Sequence, residues 1–263
     1  METTKMDLNI AGLRVLVTAG AAGIGLEIAR TFHREGARVH VCDVDRAALQ
    51  DATATDPDLT SSYGDVAKRA DVTRIFEEAL GVLGGLDVLV NNVGIAGPTA
   101  RVEEINPEDW DRCLEVCITG QFNCTRLAVP YLRQSQNASI VNLSSAAGRF
   151  GFPLRSPYTA AKWAVIGFTK SLSRELGQDG IRVNAILPGI VAGDRQRRVL
   201  EAKAQQHGVP FEEMEQKALA NASLKEYVTA QQLADQIVFL CSPRGRTISG
   251  QSIAIDADLQ MLT

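Results

Sequence analysis

Tyr158 and Lys162 stand four residues apart in a segment whose apolar positions, Ala161, Val165, Leu172 and Leu176, recur at helical spacing. Residues at i and i+4 project from one helical face, so the phenol and the ammonium point the same way. A phenol exchanges protons poorly near neutral pH, because its ordinary pKa is about 10. A cation about 4 Å away, at an effective dielectric of about 20, favours the phenolate by about 4 kcal/mol. That brings the tyrosine into the range of a general acid/base. Ser145 follows the run Ser139-Ile140-Val141-Asn142-Leu143, which reads as a buried strand. Its hydroxyl therefore sits at the carboxyl end of a strand, where open α/β sheets carry their chemistry. A tyrosine and a lysine at this spacing occur on many helices. Ser145, thirteen residues before Tyr158, makes the three a candidate catalytic set.

The elements that must position this set begin at the amino terminus. Arg14 to Thr18 is a β-branched run ending in Ala19-Gly20-Ala21-Ala22-Gly23-Ile24-Gly25, and a helix with Ile24, Ile28, Ala29 and Phe32 on one face stops at Gly36. A second strand, Ala37 to Asp43, ends in an acid, so the segment reads as a βαβ unit. Glycines between strand and helix let the backbone approach a diphosphate at the positive helix N-terminus. Gly20, Gly23, Ile24 and Gly25 are the candidate diphosphate contacts. Asp43, twenty residues past Gly23, is placed to accept from an adenosine ribose and to repel a 2′-phosphate, which favours NAD over NADP.

Further along, Asp45 to Asp58 reads as a short helix and a polar loop, and Leu59 to Val66 as a weak strand carrying Asp65. Helix is expected from Lys68 to Leu83, strand from Leu86 to Val90 leading to Asn91-Asn92-Val93-Gly94, and one long helix from Asn106-Pro107 to about Arg133. Ile181 to Leu187 is a strand stopped by Pro188-Gly189, Thr229 to Gln232 a capping box, and Ser252 to Ile255 the last strand. Strands alternating with helices predict an α/β, Rossmann-type doubly wound parallel sheet with helices on both faces. With no linker, repeat or low-complexity tract, residues 1–263 read as a single domain carrying a substrate-loop segment at about 189–224.

The chain is 45% hydrophobic and 22% charged, ordinary for a globular protein, with a formal net charge of −4. That charge disfavours nucleic acid as a partner. No apolar run suits a membrane span, and the polar start, Met1 to Asn9, shows no secretory signal. Cys42, Cys113, Cys117, Cys124 and Cys241 are odd in number and lack a C-x-x-C pair, which fits reduced thiols in the cytoplasm. Cys113, Cys117 and Cys124 share a helical face at ideal spacing, but no histidine accompanies them, so they read as core and no metal is expected.

In order and over nearly its whole length, the chain resembles the single-domain branch of the short-chain dehydrogenase/reductase family. The resemblance rests on Thr18 to Gly25, Asp43, Asp65, Asn91 to Gly94, Ser145, Tyr158-x-x-x-Lys162 and Pro188-Gly189. It implies an NAD-dependent enzyme interconverting a secondary alcohol and a ketone. Ser145 would polarise the carbonyl and Tyr158 would exchange the proton. Lys162 would lower the tyrosine pKa and bind the nicotinamide ribose. Asp65 and Val66 would flank the adenine, Asn91 would fix the sheet end beside the cofactor, and Pro188, Gly189, Ile190 and Val191 would meet the nicotinamide. It also implies a homotetramer paired through the long helix and the Tyr158 helix.

Three positions depart from the family pattern. Ala19 replaces the first turn glycine, with Gly20 expected to supply the flexibility. Val93 replaces an alanine, and Cys117 replaces an asparagine that holds a relay water for the lysine. A thiol substitutes poorly for an amide. If a relay water binds here, backbone carbonyls at a helix irregularity are expected to hold it. The competing reading is a dinucleotide-binding scaffold with little turnover. Substrate choice is expected to lie with Gly148 to Pro157, where Arg149, Phe150, Phe152 and Arg155 suit an anionic or aromatic group, and with the segment after Gly189. Arg195, Arg197, Arg198 and Lys203 in that segment read as a solvated helix face.

Overall fold

The computed structural model describes residues 7–262; the polar opening through Met6 lies outside the described residues. Strand β1 (Arg14–Thr18) turns into helix α1 (Gly23–Arg34), which returns to β2 (Arg38–Asp43). Asp45 caps α2 (Arg46–Thr55) by accepting from the N–H groups of Ala47 and Ala48. Strand β3 (Thr60–Tyr63) is shorter than the expected Leu59 to Val66. The chain turns away where Gly64 N–H bonds the Asp43 carbonyl and Ala67 N–H bonds the Asp65 carboxylate. Helix α3 (Arg69–Leu83) ends at Gly84, whose φ of 74° is the left-handed stop that glycine takes without strain. Strand β4 (Val88–Asn91) follows.

The expected long helix is two helices, α4 (Pro107–Leu114) and α5 (Gly120–Leu132), joined by a π-helical turn at Glu115–Thr119 in which Gly120 N–H bonds the Glu115 carbonyl. A π-turn inserts one residue and rotates everything beyond it. Cys113 and Cys117 accordingly pack with Ala161 and Tyr158, while Cys124 packs among Leu16, Cys42 and Leu89 on the sheet. The single face expected of the three cysteines is thereby split. The chain continues through β5 (Ser139–Leu143), α6 (Ser156–Leu176) and β6 (Arg182–Pro188). Helices α7 (Asp194–His207) and α8 (Phe211–Ala220) come next, the second unanticipated from the sequence. Helix α9 (Ala230–Cys241) opens on the expected Thr229/Gln232 capping box and leads to β7 (Ser252–Ile255).

The seven strands pair in parallel in the order β3-β2-β1-β4-β5-β6-β7. Strands β4, β5 and β6 are buried along their whole length, as expected where helices cover both faces of a sheet. One layer of core joins α1 and α9 to the sheet through Ile28, Phe32, Leu233 and Ile237. The opposite layer joins α3, α5 and α6 through Ile75, Phe76, Ala128 and Leu172. The strand order reverses between β1 and β4, and the crevice at that switch point is where open α/β sheets bind ligands. A third cluster, with Ile190, Leu200, Met214, Ala218 and Leu259, packs α7 and α8 beside the carboxyl end of β6.

Candidate active site

The turn after β1 is built by close approach. A side chain on Gly20 would meet Val41 at 2.7 Å, and one on Gly25 would meet the Ala19 carbonyl oxygen at 2.0 Å. Asn92 holds the same turn from β4, its amide donating to the carbonyls of Thr18 and Ala19 at 3.1 and 3.0 Å. Its importance is not visible in the sequence beyond its place in Asn91 to Gly94. Gly23 takes φ +53° and faces open space. The flexibility expected of Gly20 is not used there: Ala19 itself takes the positive φ, at 49°.

Helix α1 begins at Ala22 with no side-chain cap and no acid in its first turn, so its free N–H groups and dipole face the crevice. Asp43 stands at the end of β2 with its carboxylate accepting from Ala21 N–H at 3.2 Å and Val44 N–H at 2.7 Å. Arg46 is stacked 3.6 Å from the ring centroid of Tyr63, the residue in register with Asp43. An uncapped helix start behind a glycine cradle, with a carboxylate on its rim, fits a dinucleotide.

Asp65 bonds Arg112 at 2.8 Å, and the buried Val66 has its carbonyl held by Asn123. Asn91 is buried, its amide nitrogen donating to Asn142 and Thr125 at 2.9 and 3.0 Å, so it braces the sheet end, while its Oδ1 has no hydrogen-bond partner. Beyond β6, Gly189 N–H bonds the Ile255 carbonyl, the Ile190 carbonyl accepts from Val228 N–H, and Val191 bridges to Val228. Pro188 ends β6 in register with Ile255.

Lys162 is buried at 2% exposure, its Nζ donating to the Leu143 carbonyl at 2.7 Å. Ser144 donates to the Lys162 carbonyl at 2.7 Å, locking α6 to the end of β5. The lysine Nζ lies 5.6 Å from the Tyr158 ring centroid. Burial opposes ionisation of Tyr158, but Lys162, Arg195 and a hydrogen bond from Ser145 outweigh it and hold the phenol below its ordinary range. Ser145, Tyr158 and Lys162 are thus brought together. Cys117 is also there: a side chain on Gly94 would reach Lys162 Nζ at 3.3 Å and Cys117 Sγ at 3.7 Å. A hydrogen bond from Cys113, followed by the charge on Lys162, pushes the Cys117 thiol down against the opposing effect of burial.

The guanidinium of Arg155 lies 5.3 Å from the Tyr158 ring centroid and that of Arg195 lies 5.9 Å away. Arg197 forms an exposed i,i+4 pair with Glu201, as expected of a solvated face. Lys203 does not follow that expectation: it is buried at 1% exposure, because α7 turns this position onto Phe152. Among the described residues, no three His, Cys, Asp or Glu side chains are grouped to hold a metal, and no helix is long and apolar enough to cross a membrane.

A switch-point crevice with an uncapped helix start defines a dinucleotide-binding α/β protein. A family model described as enoyl-(acyl carrier protein) reductase matches residues 19–258. The D-β-hydroxybutyrate dehydrogenase of Cupriavidus necator is 35% identical over 244 residues, covering 91% of this chain and 94% of the relative. Among solved structures, an actinorhodin polyketide ketoreductase with NADPH superposes with a TM-score of 0.89 at 30% identity, covering 92% of this chain and 95% of that one. An NAD+-bound xylitol dehydrogenase gives 0.90 at 26% identity, covering 94% and 98%. The chain belongs to the short-chain dehydrogenase/reductase family of oxidoreductases.

Proposed function

We propose that the protein interconverts a secondary alcohol and a ketone with NAD as cofactor, and that residues 1–263 act as one domain with its substrate segment at about 189–224. The observation that carries this reading is the convergence of Ser145, Tyr158 and the buried Lys162 at the end of β5 beside the dinucleotide crevice. Gly20, Gly23, Ile24 and Gly25 would hold the diphosphate and Asp43 the adenosine ribose. Asp65 and Val66 would line the adenine, Asn91 would brace the sheet end, and Pro188 to Val191 would border the nicotinamide. Bound there, the cofactor supplies or accepts the hydride. Ser145 orients the substrate oxygen. Tyr158 gives that oxygen a proton during reduction and takes it back during oxidation, while Lys162 stabilises the phenolate. Cytoplasmic residence is supported by five free, buried cysteines. Exposed Phe122 and Tyr131 on α5 and Trp163 on α6 support pairing through these helices, as in a homotetramer.

The test is alcohol-dependent formation of NADH across a panel of secondary alcohols, with the reverse reaction measured on the matching ketones. Tight NADH binding without turnover anywhere on the panel would instead support a dinucleotide-binding scaffold.

A further inference from the structure

A set of buried donors without acceptors lies beside Tyr158. Arg155 is 2% exposed and Lys203 1%. One Arg155 nitrogen, Nη2, donates to the Ala96 carbonyl. Its Nε and Nη1 have no partner, and neither do Lys203 Nζ and Asn221 Nδ2. Lys203 Nζ lies 3.9 Å and the Arg155 guanidinium 5.2 Å from the ring centroid of Phe152. Lys203, Asn221 and Phe152 line one cavity with Ile190 and Gln196. None of the ion pairs among the described residues includes Arg155, Lys203 or the neighbouring Arg195. Asp256, the acid on the adjoining loop, is bound instead to Arg149.

Every unmatched atom in this set is a donor, and two of the side chains, Arg155 and protonated Lys203, are cations. Burying a cation without a counter-charge costs several kcal/mol. Contact with an aromatic face offsets only part of that cost. A core that needed only to be filled would place apolar side chains here. Burial, reinforced by Arg155, lowers the Lys203 pKa to about 7, and the charge of a bound anion would oppose that shift and favour the ammonium. Arg155 links the set to the tyrosine at which the reacting oxygen would sit, its guanidinium 5.3 Å from the Tyr158 ring centroid and 5.2 Å from that of Phe152.

We propose that the substrate is a short oxo- or hydroxycarboxylate, its carboxylate held between Arg155 and Lys203 and its carbonyl or alcohol carbon beside Tyr158. This rests on the oxidoreductase reading above and adds the substrate class. A site built to pair a charge rejects the analogue lacking it, because its own donors are then left buried and unpaired. The solvated-face reading of Lys203 is replaced by a role in recognition.

The test compares acids with neutral amides of the same shape. In the NADH-bound enzyme, calorimetry with butanoate, pentanoate and hexanoate should show at least one acid binding about tenfold or more tighter than its amide. In Lys203→Met, and in Lys203→Gln as a second variant, that preference should fall by about tenfold, with the unfolding temperature kept. In parallel, the KM for 4-oxopentanoate should rise in these variants while the KM for 4-oxopentanamide stays put. Equal binding of acids and amides, or a preference that survives both substitutions, overturns the anion site. Turnover of acid and amide at equal KM overturns it too, and leaves the oxidoreductase reading standing. Charge-selective, Lys203-dependent binding with no turnover of either, or of any alcohol or ketone on the panel above, supports the anion site and overturns the oxidoreductase reading.

Discussion

At the scale of single residues, the proposed chemistry turns on the balance of charges around Tyr158. Burial disfavours the phenolate, and Lys162, Arg195 and Ser145 reverse the sign. Oxidation needs the phenolate, so kcat/KM for an alcohol should fall as pH drops through a pKa below the usual value of about 10. Reduction needs the phenol and should fall as pH rises through the same value. Opposed limbs in the two directions are the expected outcome of steady-state pH profiles; a shared limb would assign the titration to another group. Cys117 lies beside Lys162, and its negative form would oppose ionisation of Tyr158. A thiol makes few hydrogen bonds, so Cys117→Ala should change kcat by no more than a few fold. Loss of activity in a folded Cys117→Ala protein would mean that the thiol has chemistry of its own.

At the scale of elements, the strands and helices that carry the site were legible because their signals are local. The β-branched run of β1, the glycine-rich turn, the acid closing β2 and the Thr229/Gln232 capping box each fall where their residue types place them. The π-turn at Glu115–Thr119 is anticipated only as an irregularity near Cys117, and its position emerges from packing on α6. Lys203 was misread for the same reason. Charge patterning along a helix says which residues prefer water, but the neighbours that cover them belong to distant segments such as Phe152. Ala19 shows the limit at a turn. The flexibility assigned to Gly20 is absent there, because Gly20 is required by its approach to Val41, and Ala19 takes the positive φ itself. A left-handed conformation costs a residue with a Cβ about 1–2 kcal/mol. Ala19→Gly should therefore stabilise the fold by about 1 kcal/mol, raising Tm by about 2–4 °C in thermal unfolding. A lower Tm would show that the turn is not strained.

At the scale of the whole molecule, the sheet order places the dinucleotide crevice, the Tyr158 helix and the α7–α8 segment around the carboxyl ends of the strands. The proposed choice of NAD belongs to this scale, since it rests on how β2 presents Asp43 to that crevice. One repulsion with a 2′-phosphate near the surface is worth about 1 kcal/mol or more, so NADH should bind about fivefold or more tighter than NADPH at equal salt. Equal affinities would mean that Asp43 does not read the ribose. The central claim is that this crevice and the Ser145, Tyr158 and Lys162 set work as one oxidoreductase. Its most direct test is NADH-dependent turnover of wild type and Tyr158→Phe on the same carbonyl substrate, with NADH affinity measured alongside. The expected result is turnover by wild type and a loss of about 10²–10⁴ in Tyr158→Phe, with NADH binding and unfolding temperature preserved. Wild-type-like turnover in Tyr158→Phe would contradict the claim.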